Sequence, residues 1–159
     1  MVLAIGGDEK TALTDNLLSK LKAIGYELLV FGPLAGQAGT WVDVARKVAE
    51  SIKAGQADEG ILLCWTGTGV SIAANKVPGI RAALCGDAET ARGARLWNDA
   101  NVLCLSLRKT SEAIATEIID AWFGTAYEPN PDDDACLRAL SALEKIAEPN
   151  PRFADSALW

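Results

Sequence analysis

The sequence of 159 residues contains no histidine, the side chain that most often carries protons at neutral pH. Any acid–base chemistry therefore falls to cysteine, aspartate, glutamate, lysine or tyrosine. Basic residues are also few: 15 lysines and arginines stand against 21 aspartates and glutamates. The resulting net charge of −6 argues against a nucleic-acid-binding surface. Apolar runs are short, and none approaches the roughly 20 residues of a membrane span, so we expect a cytoplasmic protein without a membrane partner.

Cysteine is sparse and widely spaced. The four residues are Cys64, Cys85, Cys104 and Cys136. No two of them have the close spacing of a metal-binding pair, and the first three end apolar runs, where a buried free thiol is the usual outcome. The sequence therefore predicts free thiols and no metal site.

Strand and helix patterns alternate along most of the chain. The predicted strands, at residues 2–5, 27–31, 60–64, 80–85 and 101–106, are apolar without polar alternation. The segments between them place apolar residues at helical spacing, over residues 13–24, 41–54, 88–97 and 111–123, with a short helix before the fourth strand. This order is typical of a parallel sheet covered by helices on both faces. We predict an α/β fold, a three-layer α/β/α sandwich with a Rossmann-like five-stranded parallel sheet.

The C-terminal part of the sequence predicts one more helix and a tail. Apolar residues recur at helical spacing over about residues 133–147. Aspartates at 132–134 stand at the start of this segment, where the helix dipole favours carboxylates. Half of all residues are apolar, enough for one core. We predict a single domain over residues 1–147 and a C-terminal tail over residues 148–159.

Residues 64–76 carry the strongest indication of chemistry. Cys64 ends the predicted third strand, and Gly67 and Gly69 follow before a run of small residues that indicates a helix start. A thiol then lies beside backbone N–H groups that no carbonyl satisfies. This pair suits reactions in which a proton leaves carbon while negative charge grows on a neighbouring oxygen. The alternative is a buried apolar cysteine followed by a tight glycine turn.

Several polar residues follow predicted strands. Asp8, Cys64, residues 86–87 and residues 106–108 all fall at carboxyl ends of strands. Ligands of parallel sheets bind beyond these ends, so we expect these residues to converge on one crevice. Three tryptophans are expected near the same crevice as stacking platforms for a sugar, with core packing as the alternative for each: Trp41, Trp65 and Trp97.

Several motifs together point to a known family. They are residues 60–64, the Thr-Gly-x-Gly of 66–69, residues 71–76, 79–83 and 98–103. In these motifs the sequence resembles the ribose-5-phosphate isomerase B family, which includes the galactose-6-phosphate isomerase subunits. Weaker matches extend the similarity over about residues 1–125. The resemblance implies an aldose–ketose isomerase that works through a cis-enediolate, without metal or organic cofactor. It also implies a homodimer, with a tetramer left open, whose active sites lie at the subunit interface.

The resemblance assigns roles to individual residues. Cys64 matches the family's base, while Thr66 and Asp8 match residues that handle the sugar's oxygens and hydroxyls. Asn98 matches an asparagine that reaches in from the other subunit, and Arg108 matches a phosphate-binding arginine. The implied anion hole consists of the backbone amides of Gly67, Thr68, Gly69, Val70 and Ser71. Glu9, Trp41 and Trp97 complete the candidate substrate-binding residues.

Some positions depart from the family pattern. Glu9 and Trp97 replace histidines, and the second of these is credited in the family with opening the sugar ring. Trp65 replaces a glycine, and residues 129–134 replace a basic phosphate-binding segment. The substrate is therefore either a sugar phosphate or an unphosphorylated sugar. Two other functions stay open: a non-catalytic sugar-binding or regulatory protein, and an enolate-type epimerase or dehydratase.

Overall fold

A five-stranded, all-parallel sheet is the framework of the first of two compact units in the computed structural model, which describes residues 1–144. This first unit is Met1–Glu128. The sheet has the order β2-β1-β3-β5-β4, and every neighbouring pair is parallel. The strands are β1 (Val2–Gly7), β2 (Glu27–Phe31), β3 (Glu59–Cys64), β4 (Ala82–Leu84) and β5 (Val102–Ser106).

Helices cover both faces of this sheet. They are α1 (Ala12–Ile24), α2 (Trp41–Lys53), α3 (Thr68–Ala74), α4 (Ala88–Asn98) and α5 (Glu112–Phe123), with a 3₁₀ turn at Gly32–Ala35. Successive strand residues point to opposite faces, so Leu3 and Ile5 join a core with α1, α4 and α5, whereas Ala4 joins a core with α2 and α3. The predicted Rossmann-like α/β fold is confirmed. No helix among the described residues is long and apolar enough to cross a membrane.

The strand order creates a switch point between β1 and β3. From β1, the chain adds β2 on one side and later places β3 on the other. The helices that begin at neighbouring strands therefore diverge at this point and leave a crevice beyond the carboxyl ends. The register pairs Gly7 with Leu63, so Asp8 and Cys64 are next to each other at this edge.

The fourth strand is shorter than predicted, because its first residues have other hydrogen-bond partners. The N–H of Ile80 donates to the carbonyl of Val77 at 3.1 Å and closes a turn. The N–H of Arg81 donates to the side-chain oxygen of Asn101 at 2.8 Å. Regular pairing with β5 therefore begins only at Ala82.

The second unit begins at Pro129 and contains α6 (Pro131–Leu143). This helix starts two residues earlier than predicted, because the side-chain oxygen of Asn130 accepts the N–H of Asp133 at 2.9 Å and caps it. Pro131 suits the first turn, where its missing N–H costs no hydrogen bond. The predicted boundary between residues 147 and 148, and the tail beyond it, lie outside the described residues.

A buried ionic cluster joins three elements near the start of β3. The carboxylate of Glu59 accepts hydrogen bonds from the guanidinium of Arg95 on α4 at 2.8 Å and from the indole N–H of Trp122 on α5 at 2.6 Å. The guanidinium also lies 5.2 Å from the Trp122 ring centre. Burial raises the pKa of Glu59, although the contacts with Trp122 and Arg95 act in the opposite direction. We call these three residues the Glu59–Arg95–Trp122 cluster.

Candidate active site

The carboxyl ends of β1 and β3 bring the three predicted catalytic residues together. Asp8 follows β1, Cys64 ends β3, and Thr66 lies two residues further on. Neighbouring strands lie about 4.8 Å apart, so the pairing of Gly7 with Leu63 places Asp8 beside Cys64.

The loop after Cys64 is shaped by its own hydrogen bonds. The Cys64 carbonyl accepts the N–H groups of Gly67 at 3.2 Å and Leu107 at 3.0 Å. Gly67 has a φ of 74°, and a Cβ there would lie 3.0 Å from the carbonyl of Leu105, so only glycine fits this turn. The N–H groups of Thr68, Gly69 and Val70 then have no carbonyl partner within the helix, whereas the N–H of Ser71 donates to the Gly67 carbonyl at 3.3 Å, so Gly67 and Ser71 do not serve as free donors of the predicted anion hole. This segment, residues 67–71, is called the amide loop below.

Trp41 packs against the amide loop. A Cβ on Gly69 would lie 3.1 Å from the Trp41 ring, so the glycine makes room for the indole. Trp41 is the first residue of α2, where Thr40 and Asp43 cap each other's backbone N–H groups at 3.1 and 3.2 Å. The Thr40 hydroxyl also donates to the Asp43 carboxylate at 2.6 Å, and this bond, together with the one from the Thr40 N–H, holds the pKa of Asp43 below its usual value. Trp41 remains 43% exposed, so it borders the crevice and is not a core aromatic.

The ionisable and hydroxyl groups at this edge differ in their environments. Cys64 is only 5% exposed, whereas Glu9 is on the surface. Partial burial raises the pKa of Asp8, and the Glu9 carboxylate adds to this effect, while a backbone hydrogen bond acts against it. The hydroxyls of Thr66 and Thr68 lie 2.6 Å apart and form a hydrogen bond with each other. The edge therefore holds a nearly buried thiol and a carboxyl group that protonates more readily than usual.

Arg108 lies at the same edge. Its backbone N–H donates to the carbonyl of Trp65 at 3.0 Å, and the hydroxyl of Ser106 donates to the same carbonyl at 3.0 Å. These bonds fix the residue that follows Cys64, and the Trp65 ring itself is 58% exposed. Within residues 1–144 no carboxylate pairs with Arg108, whose side chain is exposed and available to an anion.

Trp97 and Asn98 lie at the opposite edge of the sheet. They end α4, which runs from the carboxyl end of β4 back to the amino end of β5 over about 16 Å. Asp99, directly after them, accepts two hydrogen bonds at 2.6 Å from Arg81, which precedes β4. The expected grouping of three tryptophans at one crevice is therefore wrong within a single chain. Trp97 is 58% exposed, which also excludes core packing.

Two supporting contacts were not predicted. The packing of Trp41 on Gly69 joins residues 28 positions apart, and no local pattern signals it. The hydrogen bond of the Ser106 hydroxyl had one indication in the sequence, which is the position of Ser106 at the end of a predicted strand. Among the described residues, no three histidine, cysteine or acidic side chains gather closely enough to hold a metal ion.

Comparison with known proteins identifies the family. The sequence profile of the family described as Ribose/Galactose Isomerase matches residues 3–136. The chain is 35% identical over 133 residues to ribose-5-phosphate isomerase B of Escherichia coli, covering 84% of this chain and 89% of that protein. It is 42% identical over 132 residues to D-erythrulose-4-phosphate isomerase of Pectobacterium atrosepticum, covering 79% and 84%.

A solved structure supports the same assignment. The ribose-5-phosphate isomerase B of Clostridium thermocellum superimposes with a TM-score of 0.86 and 38% identity, covering 92% of this chain and 99% of that one. The fold, the switch-point crevice and the sequence similarity thus agree. The chain belongs to the ribose/galactose isomerase family and is a sugar isomerase of the aldose–ketose type.

Proposed function

We propose that this protein interconverts an aldose phosphate and its ketose phosphate, with Cys64 as the base that moves a proton between the first two carbons. The observation that carries the proposal is the position of Cys64 beside Asp8 and the amide loop at the switch point of the sheet. A base, a second proton carrier and N–H donors for a developing oxyanion are the three groups that this reaction requires.

The reaction follows from this arrangement. In the aldose-to-ketose direction, the Cys64 thiolate removes the proton from the second carbon, and the electron pair moves onto the aldehyde oxygen. The N–H groups of Thr68, Gly69 and Val70 in the amide loop stabilise the resulting enediolate. Asp8, assisted by Thr66, takes the proton from the hydroxyl on the second carbon and delivers one to the oxygen on the first. The Cys64 thiol then returns its proton to the first carbon, which completes the ketose.

Arg108 supports a phosphorylated substrate. Arg108 follows β5 at the same edge as Cys64, and its exposed side chain has no carboxylate partner within the described part of the chain. A guanidinium binds a phosphate through parallel N–H bonds. The relatives from Escherichia coli and Pectobacterium atrosepticum are named for ribose 5-phosphate and D-erythrulose 4-phosphate. We therefore propose that the substrate of this chain is a sugar phosphate of four to six carbons.

The test is isomerisation in heavy water. The purified protein is incubated with D-erythrulose 4-phosphate, D-ribose 5-phosphate and D-galactose 6-phosphate, and the products are followed by NMR. We expect ketose–aldose conversion of at least one compound, with deuterium entering the first or second carbon. Binding of these sugars without conversion or deuterium exchange would contradict the proposal and favour a non-catalytic sugar-binding protein. Conversion to an epimer or a dehydrated product alone would contradict it as well.

The raised pKa of Asp8 predicts the shape of the pH profile. Ionised Asp8 accepts the hydroxyl proton, so activity is lost as the pH falls through its pKa. Because burial and Glu9 raise that pKa, the acid limb of kcat/KM lies above the ordinary aspartate value of about 3.9. Glu9→Gln removes the neighbouring charge, and we expect it to shift the acid limb to lower pH. An acid limb unmoved by both Glu9→Gln and Asp8→Asn would show that Asp8 is not the proton carrier.

We also propose that the active unit is a homodimer in which Trp97 and Asn98 complete the crevice of the partner. Their position at the amino edge supports this, because they are remote from Cys64 in their own chain. We expect Cys64→Ala and Asn98→Ala proteins to be nearly inactive alone and, when mixed and allowed to exchange subunits, to recover about a quarter of wild-type activity. A mixture no more active than its components, although subunit exchange is shown by mass spectrometry, would contradict the shared site.

A further inference from the structure

A buried serine closes the turn that follows β5. Ser106 ends this strand and is only 8% exposed. Its carbonyl accepts the N–H groups of Lys109 at 3.3 Å and Thr110 at 3.0 Å, so the chain turns directly after the sheet. Its hydroxyl also accepts the N–H of Lys109, at 3.3 Å. Residues 106–110 therefore form a turn whose hydrogen bonds all lead back to one residue.

The Ser106 hydroxyl also joins this turn to the loop that follows Cys64. It donates to the carbonyl of Trp65 at 3.0 Å, and the same carbonyl accepts the N–H of Arg108 at 3.0 Å. In the sheet, Ser106 pairs directly with Cys64. The hydroxyl thus acts on the Arg108 backbone from both sides, because it shares an acceptor with the N–H of Arg108 and accepts the N–H of the next residue.

Not every buried hydroxyl in this chain has such a position. Ser51 on α2 is 5% exposed, and its hydroxyl donates to the carbonyl of Lys47 at 2.8 Å, one turn earlier in the same helix. That bond satisfies a buried polar group and does no more. The bond from Ser106 to Trp65 instead connects two loops of the crevice that are 41 positions apart in sequence.

The location of the Arg108 guanidinium depends on its backbone. Its side chain is exposed, and within residues 1–144 no carboxylate holds it. A long side chain without such a partner samples many rotamers, so the backbone decides which region the guanidinium can reach. The bonds to the Trp65 carbonyl fix this starting point relative to Cys64, the proposed base.

We propose that Ser106 is a positioning residue for anion binding: its hydroxyl holds Arg108 where the guanidinium meets the phosphate of a substrate that lies at Cys64. This inference rests on the proposed function and adds a residue to the same site. The hydroxyl acts through the backbone of Arg108 and Trp65 and does not touch the substrate. Its removal therefore weakens the contact with phosphate equally in the ground state and the transition state, and leaves the proton transfer unchanged.

The test measures phosphate binding first and turnover second. Inorganic phosphate is titrated into wild-type and Ser106→Ala proteins and followed by phosphorus NMR, which gives Kd without any reaction. We expect Kd to rise about 3- to 10-fold, the effect of losing the net contribution of one hydrogen bond. With a sugar phosphate that the protein converts, KM should rise by the same factor while kcat stays within about twofold, as expected when binding is lost uniformly.

Two further variants separate positioning from general loss of structure. Ser51→Ala, which removes an equally buried hydroxyl remote from the crevice, should leave Kd and KM unchanged. Arg108→Met removes the guanidinium but keeps the backbone N–H, and in this background Ser106→Ala should cause no further loss of kcat/KM. Ser106→Thr keeps a hydroxyl and should keep the phosphate affinity of the wild type.

Three results would overturn the inference. They are an unchanged phosphate affinity and KM in Ser106→Ala, a fall in its kcat at unchanged KM, and a further loss of kcat/KM when Ser106→Ala is added to Arg108→Met. Failure of the wild-type protein to convert any sugar phosphate would instead contradict the proposed function. In that case the titration with inorganic phosphate still decides whether Ser106 positions Arg108.

Discussion

Replacement of Cys64 by alanine should lower kcat/KM for isomerisation by about 10²–10⁴-fold, the contribution of a positioned general base. The side chain lies next to Asp8 and the amide loop, and no other thiol within the described residues has that setting. Deuterium exchange into the substrate should fall by the same factor, because the same proton transfer is lost. Steady-state kinetics and NMR exchange with one substrate measure both quantities. Thermal unfolding checks that the variant still folds.

Cys85→Ala is the matched control for this experiment. Cys85 is also a buried cysteine at the carboxyl end of a strand, but no glycine loop follows it. Its thiol, with a pKa raised to about 12 by burial, stays protonated near neutral pH. We expect this variant to lose some stability through its core contacts while keeping its activity. Equal losses of activity in the two variants would mean that Cys64 acts through packing and is not the base.

Replacement of Arg95 by alanine should lower the free energy of unfolding by about 3–5 kcal/mol, the usual cost of removing one partner of a buried ion pair. The Arg95 and Glu59 side chains are 15% and 14% exposed, so water compensates little of the loss. The variant also loses the contact between the guanidinium and the Trp122 ring. Urea denaturation at neutral pH, followed by fluorescence, measures the change.

The loss of stability in Arg95→Ala should depend on pH, and the ionisation of Glu59 sets the direction of that dependence. Burial already raises the pKa of this carboxyl in the folded protein, and removal of Arg95 raises it further. Between the unfolded and folded pKa values the native state holds more protons, so the stability of Arg95→Ala falls as the pH rises through that window. Arg92→Ala, on the same helix, is the control, because its pair with Glu89 is 51% and 82% exposed and contributes about 0.5 kcal/mol or less. Equal losses for Arg95→Ala and Arg92→Ala would contradict a stabilising role for the cluster.

Most of the fold could be predicted from local pattern, because each buried strand is a short continuous apolar run and each amphipathic helix repeats its apolar residues at helical spacing. The second strand, Glu27–Phe31, has its predicted bounds, and the end of α1 follows from Gly25, whose φ of 101° suits a helix stop. The order of the strands could not be predicted in this way, because periodicity does not show which strands are neighbours. The proximity of Asp8 and Cys64 could be predicted, because the carboxyl ends of parallel strands lie at the same edge of the sheet.

The remaining parts of the site depend on contacts distant in sequence. Trp41 reaches Gly69 across the helical layer, and the sequence contains no local sign of that contact. Trp97 was grouped with the crevice of its own chain although a helix between parallel strands returns the chain to the amino edge, whereas Asn98 was expected to serve the other subunit. The pKa of Asp8 depends on burial, which follows from packing and not from residue type.

The Glu59–Arg95–Trp122 cluster lies near the amino edge of the sheet, whereas Asp8 and Cys64 lie at the carboxyl edge. The polar contacts that join β3, α4 and α5 are therefore spatially separate from the chemistry. Because of this separation, substitutions around the crevice should change the free energy of unfolding little, and the crevice can evolve while the protein stays folded. Libraries that vary the exposed Glu9 and Trp65 should accordingly contain a high proportion of folded variants from which new substrate preferences can be selected.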